Sequence, residues 1–478
     1  MPPRAWTDPG EAPHGHRRRA GVALTTLAVV ASVVAAMLIA GPRQGALGAG
    51  GAPAALSEGS LQVTNLPPLL TTPDDPPTTL RYDVTCAAPD TNPDAGCDVA
   101  GTVFVRAGQS GPFRAIPLVL DPNAAVGRYA ASLPGTLAGS SFSYYAVVHD
   151  NRTGQSVTLP AGGAAAPQRS ILMPHPVTVS LGAHAFGVTS RASARVASAP
   201  WGDGPSQAGL EDGPQLEPIG GSSFDVDAAG NVTVLDEAHR RLLRFAAGKP
   251  TAPTSLPVDV RGTIADLRSR ADGGADVLES AADPGQTPVM HSFDVNGRTT
   301  GTWHAAQNVA SALRVGPAGP EALEYPSAQW MPIGAAAGAR ASLTNQIRRA
   351  LTGRAQNAGG QIVAEREGAE ARIALVDAHG GVQVGWRIRS TTPLAEIQLA
   401  EPFGNRVLVV LRTYTDAQDE FVALVLGSRG LEQQRSIAPD EWAETAPLSR
   451  FRMVGSSLYH LGSTPAGMFV DRYDLEVQ

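Results

Sequence analysis

The sequence predicts an all-β protein: an N-terminal transmembrane helix, a small β-sandwich, then a β-propeller of about six blades. Three observations predict this. Glycine (52) and proline (39) are abundant while charged residues make up only 17% of the chain, which excludes coiled coils and long charged helices. Short apolar runs that alternate at period two fill residues 61–175, the signature of strands with one face packed and one face wet. Turn-bearing segments then recur at steps in the forties through residues 176–478, the length of one four-stranded propeller blade.

The 478 residues carry a formal charge of −7, which leaves no basic footprint for nucleic acid. Apolar residues are 43% of the chain, enough to exclude disorder throughout.

Residues 1–19 form a cytoplasmic tail ending in Arg17, Arg18 and Arg19. Ala20 to Ala40 follows without a charge, 21 residues in all. At 1.5 Å per residue such a run matches a hydrocarbon core of ~30 Å. The arginines before it place the N-terminus inside and the bulk of the chain outside, giving a single-pass protein of the cell membrane. The alternative is secretion after signal cleavage, for which Ala46-Leu47-Gly48 offers small residues. An h-region of only about 7–15 residues is usual there, so length favours the anchor. Residues 41–60, rich in Gly, Ala and Pro, read as a flexible linker.

In residues 61–175, Leu80–Cys86, Val99–Val105 and Phe142–Val148 alternate as strands between Pro- and Gly-containing turns. The stretch resembles fibronectin type III and immunoglobulin-like modules, with Gly127–Pro134 and Ser143–Asp150 placed like their last hairpin. The only cysteines, Cys86 and Cys97, end one strand and precede the next. In an oxidising compartment they are expected to form a disulfide worth roughly 2–3 kcal/mol. A redox pair is the alternative, but ten residues intervene where such motifs have two.

Residues 176–478 open with Trp201-Gly-Asp-Gly-Pro205 and lead to Phe224–Asp227, a strand, Ala228–Asn231, a tight turn, and Val232–Leu235, the return strand. Val226-Asp227, Gly230-Asn231-Val232, Val234, Asp236, Arg241-Leu242 and Phe245 resemble the NHL-repeat family of β-propellers, although His239 stands where Asn is usual and Thr233 where an aromatic is. Asp294 to Gly297 and Trp303 repeats as Asp377 to Gly380 and Trp386. With Ala246 and Gly427 taken as equivalent positions, the steps are 48, 83 and 50, the middle one double, with a degenerate turn near Gly334 to Gly338. Val470–Asp474 supplies a closing hairpin, and Leu343–Ala355 reads as a short inserted helix. Arg-for-Lys usage is extreme, Lys249 being the one lysine, and with the resemblance it points to a bacterial, actinobacterial-type source.

Motifs for chemistry are sparse. Lys249 precedes Pro250, so there is no phosphate-binding loop; Gln207 interrupts the dinucleotide-like Gly202-Asp-Gly204; no serine has a nucleophile elbow; the ten histidines show no metal-ligand spacing. Asp225 and Asp227 read as turn residues rather than calcium ligands, because no distal bidentate Glu follows. Neither a cofactor nor a metal is therefore expected. Two function classes remain. One is a tethered extracytoplasmic sensor or binding propeller for a peptide, glycan or protein of the envelope, with Trp201, Asp203 and Arg240 as candidate contacts because aromatic and Arg side chains dominate hot spots. The other is a propeller enzyme of lactonase or lyase type with a metal at the central channel. Arg241 is read as a structural arginine between blades.

Overall fold

The computed structural model describes residues 61–65, 70–74, 79–86, 98–121, 127–137, 140–160, 162–213, 216–256, 260, 264–279, 288–304, 310–316, 319–324, 329–333, 361–377, 381–444 and 449–475. The expected membrane span Ala20–Ala40, the linker, Cys97 and the segment 343–355 lie outside these residues, and among the described residues no helix is long and apolar enough to cross a membrane.

The described chain is all-β, with two short 3-10 turns. Its N-terminal part is one continuous path of strands in the order Leu61–Asn65, Thr79–Cys86, Arg128–Ser132, Arg114–Leu120, Val99–Ala107, Phe142–Asp150 and Ser156–Leu159. Arg114–Leu120 turns the corner: Arg114 to Leu118 pair with Val99–Ala107, whereas Val119 and Leu120 pair with Ala130 and Tyr129. Both halves drop alternate residues into one core that includes Tyr82, Val103, Val105, Tyr144 and Val148. The path nearly closes, because the Leu61 amide donates to Oε1 of Gln155 at 2.7 Å. The expected last hairpin is not formed. Arg128–Ser132 pairs with Thr79–Asp83, and Phe142–Asp150 pairs with Val99–Ala107, because Arg114–Leu120 and Val99–Ala107 lie between them.

Among the described residues the larger part contains six sheets of three or more strands, beside a two-stranded pair of Glu211–Gly213 with Leu216–Ile219. The first runs Ser223–Val226, Val232–Asp236 and Arg241–Ala246, edged by Lys249–Pro250 and Thr254–Ser255. The second is Ile264–Ser269, Ala275–Glu279, Val289–Phe293 and Thr299–His304; the third is Ala310–Gly316, Gly319–Glu324 and Gln329–Pro332. Gln361–Glu367, Glu370–Val376 and Val382–Ser390 make the fourth; Leu394–Phe403, Arg406–Tyr414, Asp419–Gly427 and Gly430–Ile437 the fifth; Phe451–Val454, Ser457–Thr464 and Gly467–Asp474 the sixth. Strands such as Arg406–Tyr414 and Asp419–Gly427 are apolar without alternation because a neighbouring sheet covers each face.

First strands touch in cyclic order. Phe451–Val454 lies against Ser223–Val226, which lies against Ile264–Ser269 and then Ala310–Gly316, while Gln361–Glu367 lies against Leu394–Phe403 and then Phe451–Val454. Five apolar seams join sheet to sheet: sixth to first, first to second, second to third, fourth to fifth, and fifth to sixth. This arrangement is consistent with a β-propeller.

A remote segment completes two sheets. Val177–Gly182 adds in parallel to Val382–Ser390 of the fourth sheet, and Ala194–Pro200 adds antiparallel to Gly467–Asp474 of the sixth. Gly467 permits that close approach, since a Cβ there would overlap the Ala199 carbonyl oxygen. Between these strands the chain crosses the fifth sheet. His184 Nε2 sits 2.8 Å from Oε2 of Glu420, the Gly187 amide donates to the other oxygen at 2.6 Å, and Ser190 N donates to Ser436 O at 2.7 Å. Residues 177–200 thus belt three consecutive sheets.

The seam between third and fourth sheets differs. No apolar cluster joins them among the described residues. Val363, Ala374 and Val376 of the fourth sheet pack instead on Leu70, Ile171 and Met173. Leu70 and Ile171 belong to the short parallel pair Leu70–Thr71 and Ile171–Leu172, and Met173 follows it, its amide donating to the Thr71 carbonyl at 2.8 Å. Glu365 accepts from the Leu70 amide at 2.7 Å, and Arg387 meets Asp74 at 3.1 Å. At the junction with the fifth sheet, Arg366 Nη1 donates to Leu394 O at 3.0 Å and Leu394 N to Gly368 O at 3.3 Å, so one first strand ends where the next begins. The Asp-to-Trp spacing read as a repeat is therefore not equivalent in the two places. Asp294 follows the third strand of its sheet, whereas Asp377 follows the second strand of its own.

Candidate functional site

The first strands bring two carboxylates and two guanidinium groups together. Polar residues at alternate positions, Ser223 and Asp225 in one strand and Asp266 and Arg268 in the next, share a side in otherwise apolar segments. Asp266 is fully buried. Its Oδ1 meets Arg452 Nη2 at 2.5 Å and accepts from Ser223 Oγ at 2.8 Å, Ser449 Oγ at 3.1 Å and the Leu267 amide at 2.8 Å. Its Oδ2 accepts from the Leu313 amide at 2.7 Å, with Arg268 at 3.7 Å. Burial alone would raise this carboxyl, but Arg452, Arg268 and these donors hold it below the usual range. Asp225 accepts from the Ser269 amide at 2.7 Å and faces Arg268 at 3.7 Å and Arg452 at 4.0 Å. Burial, with the like charge of Arg268, pushes Arg452 down to about 10, still protonated at neutral pH. The cluster is a braced ion-pair network of mixed charge.

A second constellation lies where the loop after Ala194–Pro200 meets the first sheet: Asp203 of the loop joins Asp236, His239 and Arg241, with Trp201 and Arg240 adjacent in the chain. Buried Asp236 is its hub: Oδ2 takes Arg241 Nε at 2.8 Å and faces His239 Nδ1 at 3.0 Å, while Oδ1 accepts from the Gly209 amide at 3.1 Å. Arg241 Nη2 donates to the carbonyls of Gly204 (3.0 Å) and Gln207 (2.7 Å), tying the loop to the first sheet. Arg241 thus bonds its own sheet and a loop rather than a strand of a neighbouring sheet. His239 Nε2 reaches Asp203 Oδ1 at 3.0 Å. Burial would lower His239, but hydrogen bonds to Asp236 and Asp203 raise it above its usual value. The Asp203 side chain is 100% exposed.

The sequence-predicted contacts are thus near one another but differ in setting. Trp201 is half-buried, donates its Nε1–H to Thr464 O at 2.9 Å, and packs on Trp442 with ring centroids 5.9 Å apart. Its ring lies over Gly220, where a Cβ would come within 2.5 Å of it. Arg240 occupies a turn at φ +50°, unusual for a residue other than Gly, Asn or Asp, and its Nη2 is buried without a hydrogen-bond partner. Asp203 alone offers a fully exposed charge.

Sequence reasoning missed Asp266, Arg268, Arg452, Trp442 and Glu444. Burial, with the facing carboxyl of Glu217, pushes Glu444 up to about 7. The available signal was polar residues two apart inside apolar strands, but nothing local announces their partners, since Arg452 is far along the chain from Asp266.

No family model matches the chain, and no curated protein matches it. Solved structures do. Virginiamycin B lyase from Staphylococcus aureus is 11% identical over 57% of this chain and 89% of that one, with a TM-score of 0.29. The PQQ-bound aldose sugar dehydrogenase from Streptomyces coelicolor is 10% identical over 59% and 97%, TM-score 0.34. YCF48 bound to D1 peptide is 13% identical over 57% and 87%, TM-score 0.31. At these identities and TM-scores they transfer neither fold nor activity to this chain.

Proposed function

We propose that this protein is a membrane-tethered, extracytoplasmic binding or sensor propeller of six NHL-like blades, carried behind a fibronectin- or immunoglobulin-like module. It recognises an envelope peptide, glycan or protein through the loop face that holds Trp201, Asp203 and Arg240. The observation that carries this reading is the way Asp266 and Asp225 are spent. Every oxygen of Asp266 is bonded to a neighbouring strand or guanidinium, so the first strands are braced against one another instead of presenting a poised acid–base pair. The loop face, in contrast, combines a scaffold pinned by Asp236 and Arg241 with an exposed carboxylate, two half-buried indoles and a guanidinium. Rigid support beneath exposed polar and aromatic groups is what a recognition surface requires.

The test is capture from envelope extract with the full chain, compared with an Asp203→Ala/Arg240→Ala variant of unchanged melting temperature. A partner retained by the first and lost by the second is expected. Equal retention would move the recognition surface elsewhere.

A further inference from the structure

The outer face of the N-terminal sheet departs from the usual pattern. A one-sided antiparallel sheet turns polar residues to water, yet the strands Val99–Ala107, Arg114–Leu120 and Phe142–Asp150 turn out Phe104, Ala115, Pro117, Val119, Tyr145 and Val147, with Thr102 and His149 among them. Ala115, Pro117 and Val119 are exposed, Val119 at 56%. Phe104 and Tyr145 stack across the strands at 4.7 Å, Phe113 meets Tyr145 edge-on at 5.0 Å, and all three rings are half-exposed. At one end of this face stand Arg106 and Arg169, aligned through Ser143. Arg106 lies 4.3 Å over the Phe113 ring, and neither guanidinium meets a carboxylate among the described residues. The one acid in these three strands, Asp150, is buried and bonded within its own turn.

Among the described residues most other arginines meet a carboxylate, so Arg106 and Arg169, which meet none there, mark beside these half-exposed rings a surface suited to an anionic, partly apolar partner. We propose that this face docks on the anionic headgroup surface of a lipid bilayer. Rings and aliphatic groups fit the interfacial zone, where arginine stems lie along apolar surface and their heads reach phosphates. A neutral polysaccharide is the poorer match, because it would leave the charges of Arg106 and Arg169 without a counter-charge. The proposal rests on the tethered reading. Twenty residues separate Ala40 from Leu61, so even a fully extended connection reaches only ~70 Å, which keeps the face close to the bilayer and its effective concentration high.

The test places the full chain in nanodiscs of phosphatidylcholine alone or mixed with phosphatidylglycerol, and reads hydroxyl-radical labelling of Phe104, Phe113 and Tyr145. Labelling should fall severalfold in the anionic discs only, with Trp201 and Trp442 unchanged, and should recover in an Arg106→Gln/Arg169→Gln variant. Resistance to alkaline extraction reports the anchor separately. If the chain is not inserted but still protects these rings on added anionic vesicles, docking stands and the tether fails. Unchanged labelling on both membranes overturns the proposal, as does protection by soluble hyaluronate without any by lipid.

Discussion

Arg452 of the sixth sheet meets Asp266 of the second at 2.5 Å, passing the strand Ser223–Val226 of the sheet between them and donating Nε–H to its Phe224 carbonyl at 3.0 Å. One guanidinium therefore ties three consecutive sheets. The pair is dry, and its strength shows when one partner is removed, because the other is left charged and buried.

Replacing Asp266 by Ala should destabilise the protein by about 3–5 kcal/mol, since Arg452 and Arg268 lose their shared counter-charge. Urea unfolding followed by tryptophan fluorescence reads this. A loss below about 1 kcal/mol, the scale of an exposed pair, would mean the network is solvated.

The belt makes a second prediction. Glu420→Ala removes the acceptor of both His184 and the Gly187 amide, and should free residues 183–193 from the fifth sheet. A cost of about 1–3 kcal/mol is expected for the donors left behind. Hydrogen exchange should rise across 183–193 while the fifth sheet keeps its protection. Unchanged exchange there would contradict the clasp.

His460 gives a pH dependence. It is fully buried, stacks on Phe451 at 4.7 Å, and neither ring nitrogen has a hydrogen-bond partner. Burial, with Arg450 nearby, pulls it down from 6.5 to about 3. The unfolded chain then binds a proton the folded one refuses between those values. Its contribution is fully present above pH 6.5 and is lost as pH falls toward 3, by a few kcal/mol at most. His460→Phe should flatten this part of the stability–pH curve, and an unaltered slope would show that other groups set it.

The loop latch carries the opposite sign. His239 is raised by Asp236 and Asp203, so its contribution is present below 6.5 and fades as pH rises through its raised value. Proteolysis within residues 202–208 should quicken over that range in the wild type. His239→Gln should remove the pH dependence, and a persistent one would place the control elsewhere.

The sequence made the first sheet legible because its signals are local: Phe224–Asp227, the Gly230 turn at φ +83° and Val232–Leu235 are neighbours in chain and in space. The N-terminal strands Thr79–Cys86 and Val99–Ala107 were legible from their own alternation, although they are not paired with each other. What stayed hidden is non-local. Val177–Gly182 and Ala194–Pro200 carry weak, alternating patterns, and only their distant partners reveal that they complete the fourth and sixth sheets. The Asp-to-Trp spacing misled because any hairpin with a three-residue step can reproduce it, whichever strand of a sheet it follows. At the candidate site Trp201, Asp203 and Arg240 were visible as residue types, whereas Asp266 and Arg452, 186 residues apart, meet only where the sixth, first and second sheets come together.

The most direct test of the central claim is turnover. The purified full chain is assayed against a panel of lactones and esters with and without Ca²⁺, beside an Asp225→Asn variant. The account predicts rates at background in every arm, because the inner carboxylates are committed to Arg268 and Arg452. Calcium-dependent turnover that disappears in Asp225→Asn would contradict it and establish a propeller enzyme.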